Sequence, residues 1–274
     1  MAKENLIYLT VGGNENYLKL LDLFLLSLIE TTNLDQIDIC VFGQRSYFVN
    51  YASPLGMDIR FFHVSPILLK KTNKIVKIKS DDVFLNYDNM SHSVQKLRIH
   101  TLPEFLSYKK VLYFDTDIVL CRSATELFER IDDKKLLHVC NDSHDFNDHN
   151  SLYYNHTTFT EDTMTRIINK KIYPFSGGIF GFIPSEVMGY HFKSIFNQIF
   201  KADGDFFYEQ SHMNHYFNKN CLSKDVFSAQ VLTPHGSTFF NPSKTALVHY
   251  ASSHVEVSKK IDTLRAFYEK HTKL

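Results

Sequence analysis

At 274 residues with 44% apolar and 14% aromatic side chains, the chain can bury a substantial core, and its longest apolar run is too short and too interrupted to span a bilayer. Thirty basic residues balance thirty acidic ones, so no global field draws the chain to nucleic acid or to an anionic membrane. The four cysteines, Cys40, Cys121, Cys140 and Cys221, show no CxxC spacing and read as reduced residues of apolar segments, not as a disulfide framework.

ENLIYLTV, residues 4–11, predicts a first strand, followed by a Gly12-Gly13-Asn14 turn in which Asn14 can cap a helix starting near Tyr17. YLKLLDLFLLSLI, residues 17–29, carries Lys19, Asp22 and Ser27 and reads as a buried helix. Strands follow at residues 37–43 and 58–64, with a helix around residues 46–52 between them. Residues 70–82 are polar and lysine-rich. SVQKLRIHTLPEFL, residues 93–106, has helical spacing at Val94, Leu97 and Leu102, broken by Pro103.

VLYFDTDIVL, residues 111–120, is an apolar strand pattern interrupted by Asp115 and Asp117. KKLLHVC, residues 134–140, is another strand, and the aperiodic, His/Asp-rich stretch after it reads as a polar loop over a binding face. PFSGGIFGFIP, residues 174–184, is a strand entered through a Gly pair; helices are expected at residues 190–200 and from Glu209. VFSAQVLT and TALVHYAS are late strands, and a charged helix begins near Val257. Strands alternating with helices predict an α/β fold with a mostly parallel central sheet and helices on both faces. The lack of repeats and linkers predicts one domain over residues 1–274. The first residues lack a signal-peptide pattern, so a cytoplasmic location is expected, and the sequons at Asn89, Asn141 and Asn155 read as accidental.

Ionised carboxylates inside an apolar strand need a partner, because burying a charge costs several kcal/mol unless it is paired or coordinates a metal. Residues i and i+2 of a strand point the same way, so Asp115 and Asp117 converge where the strand ends, and in open α/β sheets the ligand crevice lies beyond those ends. Such a pair suits Mg²⁺ or Mn²⁺ completed by substrate phosphates. The alternatives are a solvated or Arg-paired strand end, or the nucleophile and acid of a haloacid dehalogenase-type phosphatase, whose motif usually lies near the N-terminus.

KKVLYFDTDIVLCRSATELF resembles the DxD region of glycosyltransferase family 8, the nucleotide-sugar transferases that include glycogenin and bacterial lipopolysaccharide galactosyl- and glucosyltransferases. YLTVGGNENYLKLLDLFLLSL, PFSGGIFGF, EQSHMNHYF and ALVHYAS resemble further segments of that family in the same order, from Leu6 to about Ser253. The resemblance implies a GT-A, Rossmann-like fold that takes a UDP-sugar and a divalent cation, usually Mn²⁺, with Asp115, Asp117 and His249 as ligands. By the same match Tyr17 stacks on uracil and the backbone of Leu9 and Thr10 brackets the base. Thr116, Ser176 and Gly177 line the donor, and either Lys96 or Arg98 faces the diphosphate or sugar. Gln210 lies near the reactive face of the sugar with Glu209 beside it.

Retention of configuration is usual in the family, and an amide at Gln210 favours front-face substitution assisted by the leaving diphosphate. The chain departs from the family pattern in three places. Glu209 replaces the usual Asp, Ser176 stands where Asn is frequent, and Ser252-Ser253 stands where a Gly is normal, without the "KPW" that follows it; Lys259 or Lys260 is a candidate substitute. A hexose, glucose or galactose, passed from UDP to a glycan or protein acceptor is the expected activity; a binding-only protein on the same fold is the alternative. Residues 142–156 are read as an acceptor-side loop in preference to a second metal site. Edge strands and exposed aromatics would support a homodimer.

Overall fold

The computed structural model describes residues 3–12, 15–64, 92–142, 160–201, 209–232, 241, 244–251 and 255–271. Strand β1 (Asn5–Thr10) pairs in parallel with β2 (Ile37–Gly43) on one side and β4 (Lys110–Phe114) on the other. Strand β3 (Arg60–His63) extends this side of the sheet, also in parallel. On the far side β7 (Phe175–Phe182) runs antiparallel to β4 and to β6 (Leu137–Asn141), and β8 (Ser223–Asp225) closes that edge in parallel with β6. The sheet therefore has seven strands in the order β3-β2-β1-β4-β7-β6-β8 and is mostly parallel. A second, three-stranded sheet places β10 (Leu247–His249) between β5 (Ile118–Leu120) and β9 (Val231–Leu232).

Alternation along each strand feeds two cores. Ile7, Leu9, Ile39, Val41, Leu112 and Phe114 face helix α1 (Asn16–Thr31) and the C-terminal helix. Helix α1 buries Leu20, Leu21, Phe24, Leu25 and Leu28, spaced at one and four residues, so one stripe meets the sheet. Each fully buried side chain of this kind contributes roughly 1.5–3 kcal/mol. Leu6, Tyr8, Cys40, Phe42, Val111 and Tyr113 face the other way, towards the 3₁₀ segment Val94–Thr101 and two further helices.

Several elements differ from expectation. The helix awaited at residues 46–52 is the single turn α2 (Arg45–Phe48). Asn14 lies outside the described residues; Glu15 precedes α1 and makes no side-chain capping bond. The segment expected to be helical over residues 93–106 is wound as 3₁₀ helix over Val94–Thr101. Val94, Gln95, Lys96, Leu97 and Ile99 are all buried, more directions than one α-helical stripe presents. VFSAQVLT is not one strand: Asp225 Oδ1 accepts from Ser228 N (3.1 Å) and Ser228 Oγ (2.8 Å), which bends the chain into the 3₁₀ turn Ser228–Gln230.

Two helices had no counterpart in the sequence reading, α3 (Thr125–Glu129) and α4 (Glu161–Asn169). Thr160 caps α4 by accepting from Thr163 N, and Glu161 and Asp162 sit in its first turn. Those signals are readable, but only Thr163 and Ile167 of α4 are buried, so its apolar period is faint. Helix α5 (Glu186–Lys201) starts four residues before the predicted 190–200; α6 (Glu209–Lys219) and α7 (Val257–His271) begin where expected. No helix among the described residues is long and apolar enough to cross a membrane. The four cysteines are free.

Candidate active site

The buried strand β4 ends at Phe114, and the next three residues carry the chain from the large sheet to the small one. Asp115 N–H donates to Gly178 O (2.8 Å), the carbonyl of Asp117 accepts from Tyr250 N (2.9 Å), and Ile118 then pairs with His249 across β5 and β10. Thr116, at the middle of this elbow, is buried. The convergence of the two aspartates thus comes from an elbow between sheets and not from an i, i+2 strand face. One ligand-capable atom from each of Asp115, Asp117 and His249 lies within 4.8 Å of the others.

Asp117 is nearly enclosed. Its Oδ2 is 2.6 Å from Lys260 Nζ and its Oδ1 is 3.4 Å from His249 Nε2, yet Oδ1 has no hydrogen-bond partner. Burial alone would raise the Asp117 carboxyl; Lys260 and His249 outweigh it and hold the group well below the usual carboxylate range. Burial pulls the His249 imidazole down, but Asp117 and Asp115 more than compensate, and its pKa is raised. A buried, unsatisfied carboxylate oxygen beside an imidazole and a second carboxylate is a donor set that fits Mn²⁺, whose ligands include both oxygen and imidazole nitrogen.

Gly178 leaves room for this cluster. A Cβ at this position would lie 2.3 Å from His249 Cε1 and 2.9 Å from Asp115 Oδ2. Gly178→Ala is therefore expected to push both groups apart and to weaken Mn²⁺ binding at least about tenfold, read by titration of the metal into wild type and variant. Unchanged affinity would mean that these groups do not share a cation.

A second charged cluster backs the first. Lys96, 1% exposed, spends its three ammonium protons on three acceptors: Glu209 Oε1 (2.8 Å), Gly177 O (2.8 Å) and Asp115 Oδ1 (3.4 Å). Its Nζ also lies 4.5 Å from the centre of the Tyr113 ring. Tyr113 donates to Asp115 Oδ1 (2.5 Å), and its oxygen is 2.9 Å from Thr10 Oγ1. Glu209 is buried and also accepts from Ser93 Oγ (2.7 Å). Burial raises its carboxyl, but Lys96 and then Ser93 lower it further, so it is held below its ordinary value.

Of the two basic candidates, Lys96 is the one inside the site. Arg98 is half-buried, its guanidinium pKa lowered by burial, and pairs with no described carboxylate. Gln210 Oε1 accepts from Gly177 N (2.7 Å), and Ser176 Oγ accepts from Gly178 N (3.1 Å), so the Gly pair, Ser176 and the start of α6 form one wall. Tyr17 is 9% exposed and packs in the α1 core; burial, then the charges of Asp117 and Asp115, raise its hydroxyl pKa. The Leu9 side chain is buried in the core, leaving its backbone as the available part, and Thr10 reaches the site through Tyr113.

Lys260 is buried against Asp117 while Lys259 is exposed, which separates the two lysines that the sequence left open. Ser252, Ser253 and residues 143–156 lie outside the described residues. Sequence reasoning missed Tyr113, Ser93 and the cradle role of Gly178. Tyr113 carried a signal, standing two residues before Asp115 on the same strand side, and so did the Gly pair, which marks a close backbone approach without naming its neighbours.

The profile of glycosyl transferase family 8 matches residues 8–254. Among solved structures, the apo form of the WbbM bifunctional glycosyltransferase aligns at TM-score 0.59 and 17% identity, over 99% of this chain and 51% of that one, so this chain spans about half of WbbM. An active-site mutant of LgtC, with a glutamine changed to glutamate, aligns at TM-score 0.61 and 14% identity over 96% of this chain and 95% of that one. The galactosyltransferase LgtC in complex with donor and acceptor sugar analogs aligns at TM-score 0.56 and 14% identity, with the same coverage of 96% and 95%. At these identities the likeness is one of fold. No curated protein sequence matches the chain.

Proposed function

The chain belongs to glycosyl transferase family 8, and from that membership we propose that this GT-A glycosyltransferase moves glucose or galactose from a UDP-sugar to a glycan or protein acceptor with retention of anomeric configuration. The observation that carries the proposal is the convergence of Asp115, Asp117 and His249 at the elbow between the sheets, beyond the carboxyl end of β4. Membership in the family sets aside the phosphatase reading of the Asp-x-Asp pair.

Asp115, Asp117 and His249 would hold the cation, Mn²⁺ or alternatively Mg²⁺, which when bound neutralises charge growing on the diphosphate leaving group. Lys260, paired with Asp117, would meet a diphosphate oxygen in the role of the absent "KPW" lysine; its place beside the acidic cluster supports this choice over Lys259. Lys96 orients Asp115 and Glu209 and keeps the wall of the site neutralised. Tyr17, Leu9 and Thr10 line the nucleoside end, and Thr116, Ser176 and Gly177 the sugar-diphosphate side.

Gln210 is assigned to the reacting face of the sugar. The glutamine change described as an active-site mutation in LgtC supports giving an amide that place. A double displacement needs an available carboxylate nucleophile. Glu209, the carboxylate next to Gln210, is locked by Lys96 and Ser93, which favours front-face substitution with the diphosphate assisting deprotonation of the acceptor. The match over residues 8–254 supports a single catalytic domain.

UDP release from UDP-glucose, UDP-galactose, UDP-N-acetylglucosamine and UDP-xylose, measured with Mn²⁺ and with chelator, tests this reading. Metal-dependent release from UDP-glucose or UDP-galactose is expected, with kcat lowered about a hundredfold in Gln210→Ala. Tight UDP binding without release from any donor would instead identify a binding-only protein on the same fold.

A further inference from the structure

A cavity of about 410 Å³ opens where α4 and α6 end against strands β6 and β8. Its volume falls within the roughly 300–1,000 Å³ of small-molecule sites. Four lysines line it, Lys135, Lys170, Lys171 and Lys224, together with Tyr173 and Asn141. Lys135 Nζ donates to Cys221 O (2.7 Å) and Lys224 Nζ is 3.0 Å from Asp132 Oδ2. Lys170 and Lys171 form no ion pair with a described residue. Among the described lining residues the one carboxylate, Asp225, is occupied by Ser228. Among the described lining residues positive charge therefore exceeds negative, even with Lys224 paired to Asp132, and such an excess concentrates anions.

The backbone also holds two of the lining residues in an unfavourable conformation. Lys171 (φ 53°) and Cys221 (φ 55°) follow the last turns of α4 and α6 in the left-handed region where glycine is usual. In both, the next residue closes the same cap, Ile172 N to Ile167 O (3.0 Å) and Leu222 N to Phe217 O (2.8 Å). Each cap keeps a side chain, Lys171 and Cys221, at the mouth of the cavity where a glycine would be less strained.

The cavity is separate from the donor site. Gln210 and Cys221 lie at opposite ends of α6, and a helix of this length spans roughly 16 Å. The two places are nonetheless linked, since Asn141 pairs with Phe175 at the start of β7, three residues before Gly178.

We propose that this cavity is a second ligand site that takes a phosphorylated sugar, with the lysines meeting the phosphate and Tyr173 and Asn141 meeting the ring and its hydroxyls. On the transferase reading the ligand is the phosphorylated part of an acceptor; that clause rests on the reading above, whereas binding at the cavity does not.

Calorimetric titration of the full chain in chelator with glucose 6-phosphate tests the proposal, with glucose, glucuronate and inorganic phosphate as comparison ligands. Glucose 6-phosphate is expected to bind and glucose not to, with affinity at least about tenfold lower in Lys170→Glu/Lys171→Glu, as the loss of two charge-assisted contacts implies. Lys171→Gly, which suits the left-handed cap and so protects the fold, must weaken binding as well. The proposal is overturned by the absence of glucose 6-phosphate binding, by binding that survives in both variants, or by glucuronate or bare phosphate binding equally well. Because no donor, metal or turnover enters the titration, those results leave the transferase assignment standing.

Discussion

Replacing Asp117 with alanine is expected to abolish metal-dependent donor turnover, by roughly a thousandfold or more, while leaving the fold intact. The cation that Asp117 would help to hold would supply several kcal/mol of charge stabilisation in the transition state, and each 1.36 kcal/mol is a factor of ten in rate. The fold survives because the elbow is held by its backbone: Asp117 O accepts from Tyr250 N (2.9 Å) and β5 stays paired to β10. Lys260, only 10% exposed at its side chain, loses its carboxylate partner, so the melting temperature is expected to fall without loss of the fold. UDP release together with a thermal melt checks both halves. Full turnover in the variant would remove Asp117 from the site.

Lys96→Met is expected to act on stability first. Removing one member of a buried ion pair strands the others, at a cost of about 3–5 kcal/mol. Here Glu209 is 7% exposed at its side chain and keeps Ser93 and a backbone N–H, both weaker partners than the ammonium, while Asp115 keeps Tyr113. The pH dependence gives the effect its signature. In the wild type the Glu209 carboxyl is held below its ordinary value of 4.5, so its stabilisation is present above that value and lost as pH falls through the lower, folded one. In the variant burial acts unopposed by Lys96 and raises the carboxyl, so charged Glu209 destabilises the fold at neutral pH. Acidification towards 4.5 should then narrow the gap between variant and wild type. Urea denaturation across that range reads it; a gap that stays constant would show that Glu209 is not what Lys96 neutralises.

The apolar strands were legible because period and length agree. Ile37–Gly43 is one example, where six of the seven residues are buried and the sequence reading placed the strand at the same bounds. The acidic interruption at residues 115–117 pointed to the end of β4, and the ordered family motifs pointed to His249 on a distant strand. What period and length could not give is where local hydrogen bonds override pattern: Asp225 folding VFSAQVLT into a turn, or the 3₁₀ winding that drives Lys96 inwards. Lys96 and Arg98 have the same sign and lie two residues apart, and only the winding decides that one neutralises buried carboxylates while the other is half-buried away from them. The sequence left Lys259 and Lys260 as equal candidates, because the contact that distinguishes Lys260, with Asp117, spans 143 residues of sequence. The cavity between α4, α6 and the β6–β8 edge left no mark, since its lysines are scattered from residue 135 to residue 224.

The central claim is that Asp115, Asp117 and His249 hold a cation together with the diphosphate of UDP. Titration of Mn²⁺ into the protein with and without UDP tests it most directly, since two ligands that share a site must raise each other's affinity by the same factor. UDP should tighten Mn²⁺ binding at least about tenfold, and Mn²⁺ should tighten UDP binding equally, with both effects gone in Asp117→Ala. Mn²⁺ binding that ignores UDP, or no Mn²⁺ binding in the wild type, would contradict the claim.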